Sequence, residues 1–177
     1  MRILVTGANG FIGRMLVERL LKAGTLRGQP ISALILLDKE LNDFPEDNRL
    51  RRSPGSVGDA ALLRRILADG IDVVFHLVSI PGGAAEQHYA QGYEINLQAS
   101  LELLEQLRQQ PATPVLIYAS SVAVYGATPA GRMDESANTH PELSYGAHKR
   151  MVEIALSDLA RRGEVDGRAV RDRKSVV

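Results

Sequence analysis

Met1-Arg-Ile-Leu-Val-Thr-Gly-Ala-Asn-Gly-Phe-Ile-Gly13 is the stretch that decides the fold of this chain. Residues 3–5 form a short apolar run, as a buried parallel strand does. Gly7, Gly10 and Gly13 follow at three-residue intervals. A helical pattern then begins, because apolar side chains recur at helical spacing. The order of strand, glycine turn and helix predicts the first unit of a parallel α/β sheet.

The glycine turn has two interpretations. It lets backbone N–H groups approach a pyrophosphate, to which the helix N-terminus adds positive partial charge. It could also serve close packing of helix on strand, because its spacing is G-x-x-G-x-x-G and not the stricter G-x-G-x-x-G. The flanking strand and helix favour the phosphate-binding interpretation.

Tyr145-Gly-Ala-His-Lys149 is the second informative stretch. Its phenol and its ammonium are four residues apart, so on a helix they project from the same face. A cation beside a phenol favours the phenolate, which lets a tyrosine act as a base near neutral pH. The spacing alone is common in solvated helix pairs, and it gains weight here from the glycine turn at the other end of the chain.

The composition excludes several classes of function. The chain has 177 residues, enough for one domain with a core, and its 21 basic and 21 acidic side chains give zero net charge. Because no basic block stands out, neither nucleic acid nor a membrane is expected as a partner. Cysteine is absent and the histidines lack metal spacing, so no disulfide and no metal site is expected. We expect a cytoplasmic protein without a signal peptide or membrane span.

The rest of the sequence alternates strands and helices. Strands are predicted at 33–38, 72–78 and 115–119, with at most a short one within 42–56, and helices at 60–67, 86–109 and 144–162. Such alternation predicts a Rossmann-type, doubly wound parallel sheet covered on both faces. Ligands of these sheets bind at the carboxyl ends of the strands. The segments that fall at those ends are the glycine turn, Asp38, residues 79–83 and Ser120–Ser121.

The end of the sequence departs from this pattern. Residues 168–171 look like the start of a sixth strand, but Asp172-Arg-Lys-Ser175 is too charged to continue it. We therefore expect a Rossmann sheet truncated before its last strands and before a C-terminal substrate lobe. The predicted organisation is an incomplete dinucleotide-binding domain over residues 1–171 and a non-native tail over residues 172–177.

Five motifs, in this order, make the chain similar to the extended short-chain dehydrogenase/reductases, the NAD-dependent epimerase/dehydratase family. They are Thr6-Gly-Ala-Asn-Gly-Phe-Ile-Gly13, Val74-Phe-His-Leu77, Asn96, Ser120-Ser-Val-Ala-Val-Tyr-Gly126, and Tyr145 with Lys149. Within that family the chain resembles the D-erythronate dehydrogenase group. The residues that carry this second likeness are Leu36-Leu-Asp-Lys39, Ser79-Ile-Pro-Gly-Gly-Ala-Ala-Glu86, Gly92-Tyr-Glu-Ile-Asn-Leu97 and Ser144-Tyr-Gly-Ala-His-Lys149.

The resemblance implies a catalytic serine, tyrosine and lysine. Tyr145 would be the general base for a substrate hydroxyl, and Lys149 would favour its phenolate and hydrogen-bond the nicotinamide ribose. Ser121 would hydrogen-bond the reacting oxygen; it is otherwise a turn hydroxyl that caps the strand end. The implied reaction is the NAD-dependent oxidation of D-erythronate to a 2-oxo acid. The substrate would lie against Ser79, Pro81, Gly82, Gly83, Ser121 and Tyr145.

The resemblance also implies NAD as the cofactor. Asp38 ends a strand where a carboxylate accepts hydrogen bonds from the adenosine ribose and repels a 2′-phosphate, although Lys39 beside it weakens this discrimination. Asp59 is either an adenine contact or the N-cap of the helix at 60–67. His76 is expected to be a core residue without chemistry. The other residues expected at the cofactor are Gly7, Asn9, Gly10, Phe11, Ile12, Gly13, Leu77, Asn96, Tyr145 and Lys149.

Two other functions stay open at this point. One is a nucleotide-sugar epimerase or dehydratase, in which the same three residues make a transient keto sugar and NAD is recycled. The other is a non-enzymatic dinucleotide sensor, against which the intact serine, tyrosine and lysine argue. The expected partner is a small molecule, either a sugar acid or a nucleotide sugar. The family also implies a homodimer for the full-length protein, through the helix at 86–109 and the helix from Ser144.

Overall fold

A computed structural model describes residues 1–127 and 134–172 of the chain. The strands are β1 (Arg2–Thr6), β2 (Thr25–Leu26), β3 (Gln29–Pro30), β4 (Ala33–Asp38), β5 (Leu50–Pro54), β6 (Val73–His76), β7 (Val115–Ser121) and β8 (Asp166–Asp172). β2 and β3 form a small antiparallel hairpin. The other six form one parallel sheet in the order β5-β4-β1-β6-β7-β8. From β1 the chain first adds β4 and β5 towards one edge, and then adds β6, β7 and β8 towards the other. This is the Rossmann arrangement expected from the sequence.

Helices cover both faces of this sheet. They are α1 (Phe11–Ala23), α2 (Ala60–Leu67), α3 (Gly82–Gln87), α4 (Tyr89–Gly92), α5 (Ala99–Arg108) and α6 (Ser144–Arg161). A π-helical segment, Tyr93–Gln98, joins α4 to α5, and a 3₁₀ turn, Val122–Tyr125, follows β7. None of the helices in the described residues has the length and apolar character to cross a bilayer.

The central strand β1 contributes side chains to two hydrophobic cores, one on each face of the sheet. On β1, Ile3 and Val5 point to the face that α1 covers, where they pack with Val17 and Leu20. Leu4, between them, points to the other face, which α2, α5 and α6 cover. All three β1 side chains are fully buried. An uninterrupted apolar run is therefore required, because a parallel strand is buried on both sides.

The structure differs from several of the predicted element bounds. β5 has five residues, within the stretch where at most a short strand is predicted, and its polar sequence fits because it is the edge strand of the sheet. The predicted helix at 86–109 is divided into α3, α4, the π-helical segment and α5, and α3 begins earlier, at Gly82. β8 continues to Asp172, the first residue of the predicted tail, because as the other edge strand it tolerates charged side chains. Residues 173–177 of the predicted tail lie outside the described residues.

The approach of α1 to the glycine turn leaves no room for a side chain at Gly13. A side-chain carbon there would lie 2.7 Å from the carbonyl oxygen of Ala8 and closer still to that of Gly7. Gly83, on α3, has the opposite surroundings, because a side-chain carbon there would meet nothing within 4 Å. Packing therefore requires glycine at position 13 but not at position 83.

The same substitution is therefore expected to have opposite effects at these two positions. Gly13→Ala should lower the free energy of unfolding by about 1–3 kcal/mol, because the backbone must move to admit the methyl group. Gly83→Ala should raise it by about 0.5–1 kcal/mol, because alanine loses less entropy on entering a helix. Urea unfolding of both variants measures the difference. A Gly13→Ala protein as stable as the parent would contradict the packing described here.

Candidate functional site

The glycine turn and the loop after β6 meet at the carboxyl end of the sheet. Gly7 has a left-handed backbone, with φ of 70°, and a side-chain carbon there would lie 2.7 Å from the backbone nitrogen of Val78. The Gly10 N–H donates to the Gly7 carbonyl at 3.1 Å, which closes the turn at the amino end of α1. Glycine at position 7 is therefore required both by its φ and by the neighbouring backbone.

These segments border a groove of about 270 Å³. Its walls include Gly7, Gly10, Asp38, Leu77 and Ser79. Larger grooves lie elsewhere, among them one of about 720 Å³ beside the amino ends of the strands and one of about 850 Å³ against α2, α5 and α6. We place the candidate site at the smaller groove, because ligands of parallel sheets bind at the carboxyl ends of the strands, where the glycine turn opens.

Asp38 ends β4 with both carboxylate oxygens held by backbone N–H groups. Oδ2 accepts from Asn9 at 2.9 Å and Oδ1 accepts from Lys39 at 2.8 Å. Arg14 holds the same corner, because its guanidinium donates to the Asn42 carbonyl at 2.9 Å and to the Asn9 side chain. The carboxylate is fixed at the groove with lone pairs left for further donors, such as ribose hydroxyls.

Asp59 caps α2, which is one of its two predicted roles. Its Oδ1 accepts from the N–H groups of Ala61 at 2.9 Å and Leu62 at 3.0 Å. Its side chain is exposed and is not among those lining the groove. The capping bonds account for this residue, and an adenine contact stays a prediction.

Tyr145 and Lys149 lie one turn apart at the start of α6. Lys149 is only 1% exposed, and its Nζ donates to the Ala119 carbonyl of β7 at 2.8 Å. The same Nζ lies 4.8 Å from the centroid of the Tyr118 ring and 5.7 Å from that of the Tyr145 ring. The two side chains share a helix face, as the sequence spacing predicts, and the amine is enclosed between the sheet and the phenol.

Burial lowers the pKa of Lys149 from its ordinary 10.5 to about 7. One carbonyl and the faces of aromatic rings do not replace the water that an ammonium group loses on burial. The charge of Lys149 therefore depends on its neighbours. A phenolate or another anion close to the amine favours the ammonium form, and the ammonium in turn favours the phenolate.

His76 lies on β6 beneath this pair as a hydrogen-bonded core residue. Its Nδ1 is 2.7 Å from Oγ1 of Thr6, and its Nε2 is 2.9 Å from Oγ of Ser100. The imidazole stacks on Tyr118 with ring centroids 5.7 Å apart. Burial, helped by the nearby charge of Lys149, lowers the pKa of His76 to about 3. The ring is therefore neutral near physiological pH.

Ser121 ends β7 and caps the turn that follows. Its Oγ accepts from the N–H of Ala123 at 3.1 Å. This is the capping role that we gave as the alternative to catalysis, but the two are compatible. The bond uses a lone pair of the hydroxyl and not its hydrogen. The O–H of Ser121 can therefore still donate from a position that the cap fixes.

Asn96 anchors the loop after β6, and its contact with the cofactor stays a prediction. It lies in the π-helical segment and is 1% exposed. Its Oδ1 accepts from the Ile80 N–H at 2.7 Å and from Ser79 at 3.2 Å, and its Nδ2 donates to the Ile80 carbonyl at 3.0 Å. π-helical turns often occur at functional sites, and here one directs a side chain inward against this loop.

The loop that Asn96 holds leads to Tyr145. A side-chain carbon on Gly82 would lie 3.6 Å from the Tyr145 ring, which places the Gly82 backbone beside the phenol. Pro81 is the N-cap of α3, so Gly82 and Gly83 begin a helix instead of merely ending the preceding strand. Of the predicted substrate residues, Gly82 therefore lies next to the predicted general base.

The other predicted cofactor residues lie near the same opening. Phe11 and Ile12 begin α1 with largely exposed side chains, and Leu77 lines the groove. The described part of the chain contains no group of three side chains arranged to hold a metal ion. The glycine turn and the fixed carboxylate therefore border the groove, and the serine, the tyrosine and the lysine lie on β7 and α6.

The sequence analysis missed a buried carboxylate behind Ser121. Glu153 is 6% exposed and accepts from Ser120 at 2.6 Å, from Arg150 at 3.0 Å and from Arg171 at 2.9 Å. Burial opposes ionisation, but these hydrogen bonds, chiefly those from Arg171, lower the pKa of Glu153. The available signal was its position one helical turn after Lys149, which places it on the same face of α6.

The chain is similar to known proteins over nearly its whole length. The model of the NAD dependent epimerase/dehydratase family matches residues 3–172. D-erythronate dehydrogenase of Cupriavidus necator is 39% identical over 175 residues, which are 97% of this chain and 54% of that protein. D-erythronate dehydrogenase of Haemophilus influenzae is 34% identical with the same coverage of both chains, 97% and 54%. The chain therefore spans about half the length of these relatives.

Solved structures share its fold. The nucleoside-diphosphate-sugar epimerase from Agrobacterium tumefaciens has a TM-score of 0.87 and 33% identity, covering 97% of this chain and 52% of that one. UDP-glucose 4-epimerase from Thermus thermophilus, in complex with NAD, has a TM-score of 0.82 and 28% identity, covering 97% and 54%. Both of these epimerases therefore share the architecture described above.

The neutral, buried state of His76 is expected to make the fold sensitive to acid. In the unfolded chain this imidazole takes up a proton near its ordinary pKa of 6.5, whereas in the fold it does so only near 3. The unfolded chain therefore binds more protons between these values, and stability falls as pH falls, by about 1.4 kcal/mol per pH unit.

Urea unfolding between pH 6.5 and 4 measures this slope. His76→Gln keeps hydrogen-bonding groups but cannot titrate, so its slope should be smaller than that of the parent by about one proton. His88→Gln, at an exposed position, should keep the parental slope. Equal slopes for the parent and His76→Gln would show that His76 is not held neutral by burial.

Proposed function

Because this chain belongs to the NAD-dependent epimerase/dehydratase family, we propose that it is the dinucleotide-binding part of an oxidoreductase acting on a small sugar acid. The proposed reaction oxidises D-erythronate at C2 to the 2-oxo acid. The observation that carries the proposal is the buried Lys149 amine beside the Tyr145 ring at the carboxyl end of the sheet. The 39% identity to D-erythronate dehydrogenase supports the substrate class.

The residues around the groove support NAD as the cofactor. Bare backbone at Gly7 and Gly10, next to the amino end of α1, suits a pyrophosphate. The fixed carboxylate of Asp38 suits the hydroxyls of the adenosine ribose and would repel a 2′-phosphate, so NAD is preferred to NADP. When bound, NAD supplies the hydride acceptor.

The residues of this chain would handle the proton. The substrate carbon loses a hydride and its oxygen loses a proton, so that the hydroxyl becomes a carbonyl. Tyr145 accepts the proton as a phenolate, which Lys149 stabilises in its ammonium form. Ser121 donates its O–H to the reacting oxygen, with its Oγ fixed by the cap on Ala123. Gly82 carries no side chain next to the Tyr145 ring, which leaves room there for a compact acid.

A nucleotide-sugar epimerase is the second candidate function. It is favoured by the likeness to the Agrobacterium tumefaciens epimerase, at a TM-score of 0.87. The two functions differ in their net redox outcome. A dehydrogenase accumulates NADH, whereas an epimerase returns the hydride to the same sugar and accumulates none.

The whole enzyme is proposed to be a cytoplasmic homodimer. Tyr89, Tyr93, Met151 and Ile154 expose apolar surface on the segments α4, π-helix and α6, which pack together. Two such helical faces from two copies could cover one another. We also propose that the incomplete dinucleotide-binding domain of residues 1–171 extends to Asp172, the last residue of β8, that a C-terminal lobe completes the substrate site, and that residues 173–177 are a non-native tail.

NADH formation on D-erythronate is the assay that tests the proposed function. The product of the complete reading frame should form NADH from erythronate and NAD⁺ and should not epimerise UDP-glucose. Tyr145→Phe should lower kcat by about 10²–10⁴-fold with NAD⁺ affinity retained, because it removes the base and little of the binding surface. Tyr89→Phe, at an exposed position, is the matched control and should keep parental turnover. Undiminished turnover in Tyr145→Phe would refute the proposed base.

Asp38 should set the preference between the two nicotinamide dinucleotides. Asp38→Asn keeps an acceptor for the Asn9 N–H but removes the charge that repels a 2′-phosphate. The ratio of the NADP⁺ to NAD⁺ dissociation constants should therefore fall by about tenfold or more, since a lost charge–charge contact is worth at least 1 kcal/mol or so. Calorimetric titration measures both constants. Asp69→Asn, at the opposite end of the sheet, should leave the ratio unchanged, and an unchanged ratio in Asp38→Asn would rule out this role.

A further inference from the structure

A guanidinium on the edge strand β8 joins three parts of the structure behind the candidate site. Arg171 forms a two-pronged ion pair with Glu153 of α6, with Nε to Oε1 at 2.9 Å and Nη2 to Oε2 at 2.8 Å. Its third nitrogen, Nη1, donates to the Tyr125 hydroxyl at 2.7 Å, and the guanidinium lies over the Tyr125 ring at 4.9 Å. Planar, two-pronged pairs of this kind fix orientation as well as distance.

The partners of Arg171 are the neighbours of the proposed catalytic residues. Glu153 is one helical turn beyond Lys149 and also accepts from Ser120, the residue before Ser121. Tyr125 is the last residue of the 3₁₀ turn that Ser121 caps. The turn is therefore fixed at its start by the Ser121 cap and at its end by Arg171.

A purely stabilising role explains this cluster poorly. A buried ion pair is often no more stabilising than apolar residues of similar size, because both charges lose their hydration. The side chains of Glu153 and Arg171 are 5% and 20% exposed, and they hold the serine turn against the helix that carries Tyr145 and Lys149. Defined orientation is what such a pair supplies and what an apolar contact would not.

We propose that Arg171 and Glu153 are positioning residues for the nicotinamide half of the site. They set the serine turn relative to α6, and so fix Ser121 with respect to Tyr145 and Lys149. The inference rests on the proposed function, since it assumes that a dinucleotide binds along the groove. The glycine turn and Asp38, which would bind the adenosine half, are not held by this pair.

Two ligands separate positioning from general stability. ADP reaches the glycine turn and Asp38 but lacks the second ribose and the nicotinamide, whereas NAD⁺ also reaches Lys149 and the serine turn. In Arg171→Met, NAD⁺ should bind about tenfold more weakly, in line with the loss of one charge-assisted contact at the nicotinamide end, and ADP should bind as to the parent within about twofold. Arg171→Lys should show most of the same loss, because an ammonium cannot form the two-pronged pair.

Arg168→Met on the same strand is the matched control. Arg168 pairs with Asp166 at 2.7 Å on the exposed side of β8, so its removal should leave both affinities unchanged. If Arg171→Met does not fold, the double variant Glu153→Met/Arg171→Met removes both charges together and should fold, with the same selective loss for NAD⁺. Circular dichroism and calorimetric titration provide the two measurements.

The outcomes distinguish this inference from the proposed function. Selective weakening of NAD⁺ supports it. Equally weakened binding of both ligands would show that the pair of Arg171 and Glu153 is merely structural. Unchanged affinities for both ligands would show that the pair has no role in the site. Either result overturns the inference and leaves the proposed function standing. A parent chain that binds neither ligand would overturn the proposed function, and the inference with it.

Discussion

The burial of the Lys149 amine is the constraint on which the rest of the site depends. Its Nζ has the Ala119 carbonyl and the faces of two tyrosine rings around it, and burial brings its pKa to about 7. An amine in this state responds strongly to any nearby negative charge. A phenolate at Tyr145 would provide one, so that each charge of the pair favours the other although burial opposes both. The packing of α6 against β7 therefore affects the proposed chemistry, because it encloses the Lys149 amine.

The sheet topology brings the two halves of the site together. The chain reverses direction across the sheet at β1, so that the glycine turn after β1 and the loop after β6 open on the same groove. Asp38 is held on one side of this opening, and the Ser121 turn follows β7 on the other. Asn96 holds the connecting loop. Residues far apart in sequence are thus placed along one edge by strand order alone.

Local spacing was enough to predict much of this arrangement. The glycine turn, Asp38 and the pair of Tyr145 and Lys149 each lie within a few residues of the element that positions them. Pairings between distant elements were not predictable in the same way. Glu153 pairs with Arg171, which is 18 residues away on β8. The charged residues at the end of β8 indicated a tail, because nothing in the local sequence shows that they belong to an edge strand, which tolerates charge. The hydrogen bonds of Asn96 with the loop after β6 were likewise not predictable from local spacing, because they depend on tertiary packing.

A crystal structure with NAD⁺ tests the central claim most directly. The account requires the pyrophosphate at the glycine turn and a nicotinamide ribose hydroxyl within hydrogen-bond distance, about 2.7–3.2 Å, of Lys149 Nζ, with the Tyr145 oxygen facing the nicotinamide. A dinucleotide bound instead in the groove against α2, α5 and α6, or a Tyr145 oxygen turned towards bulk solvent, would contradict it.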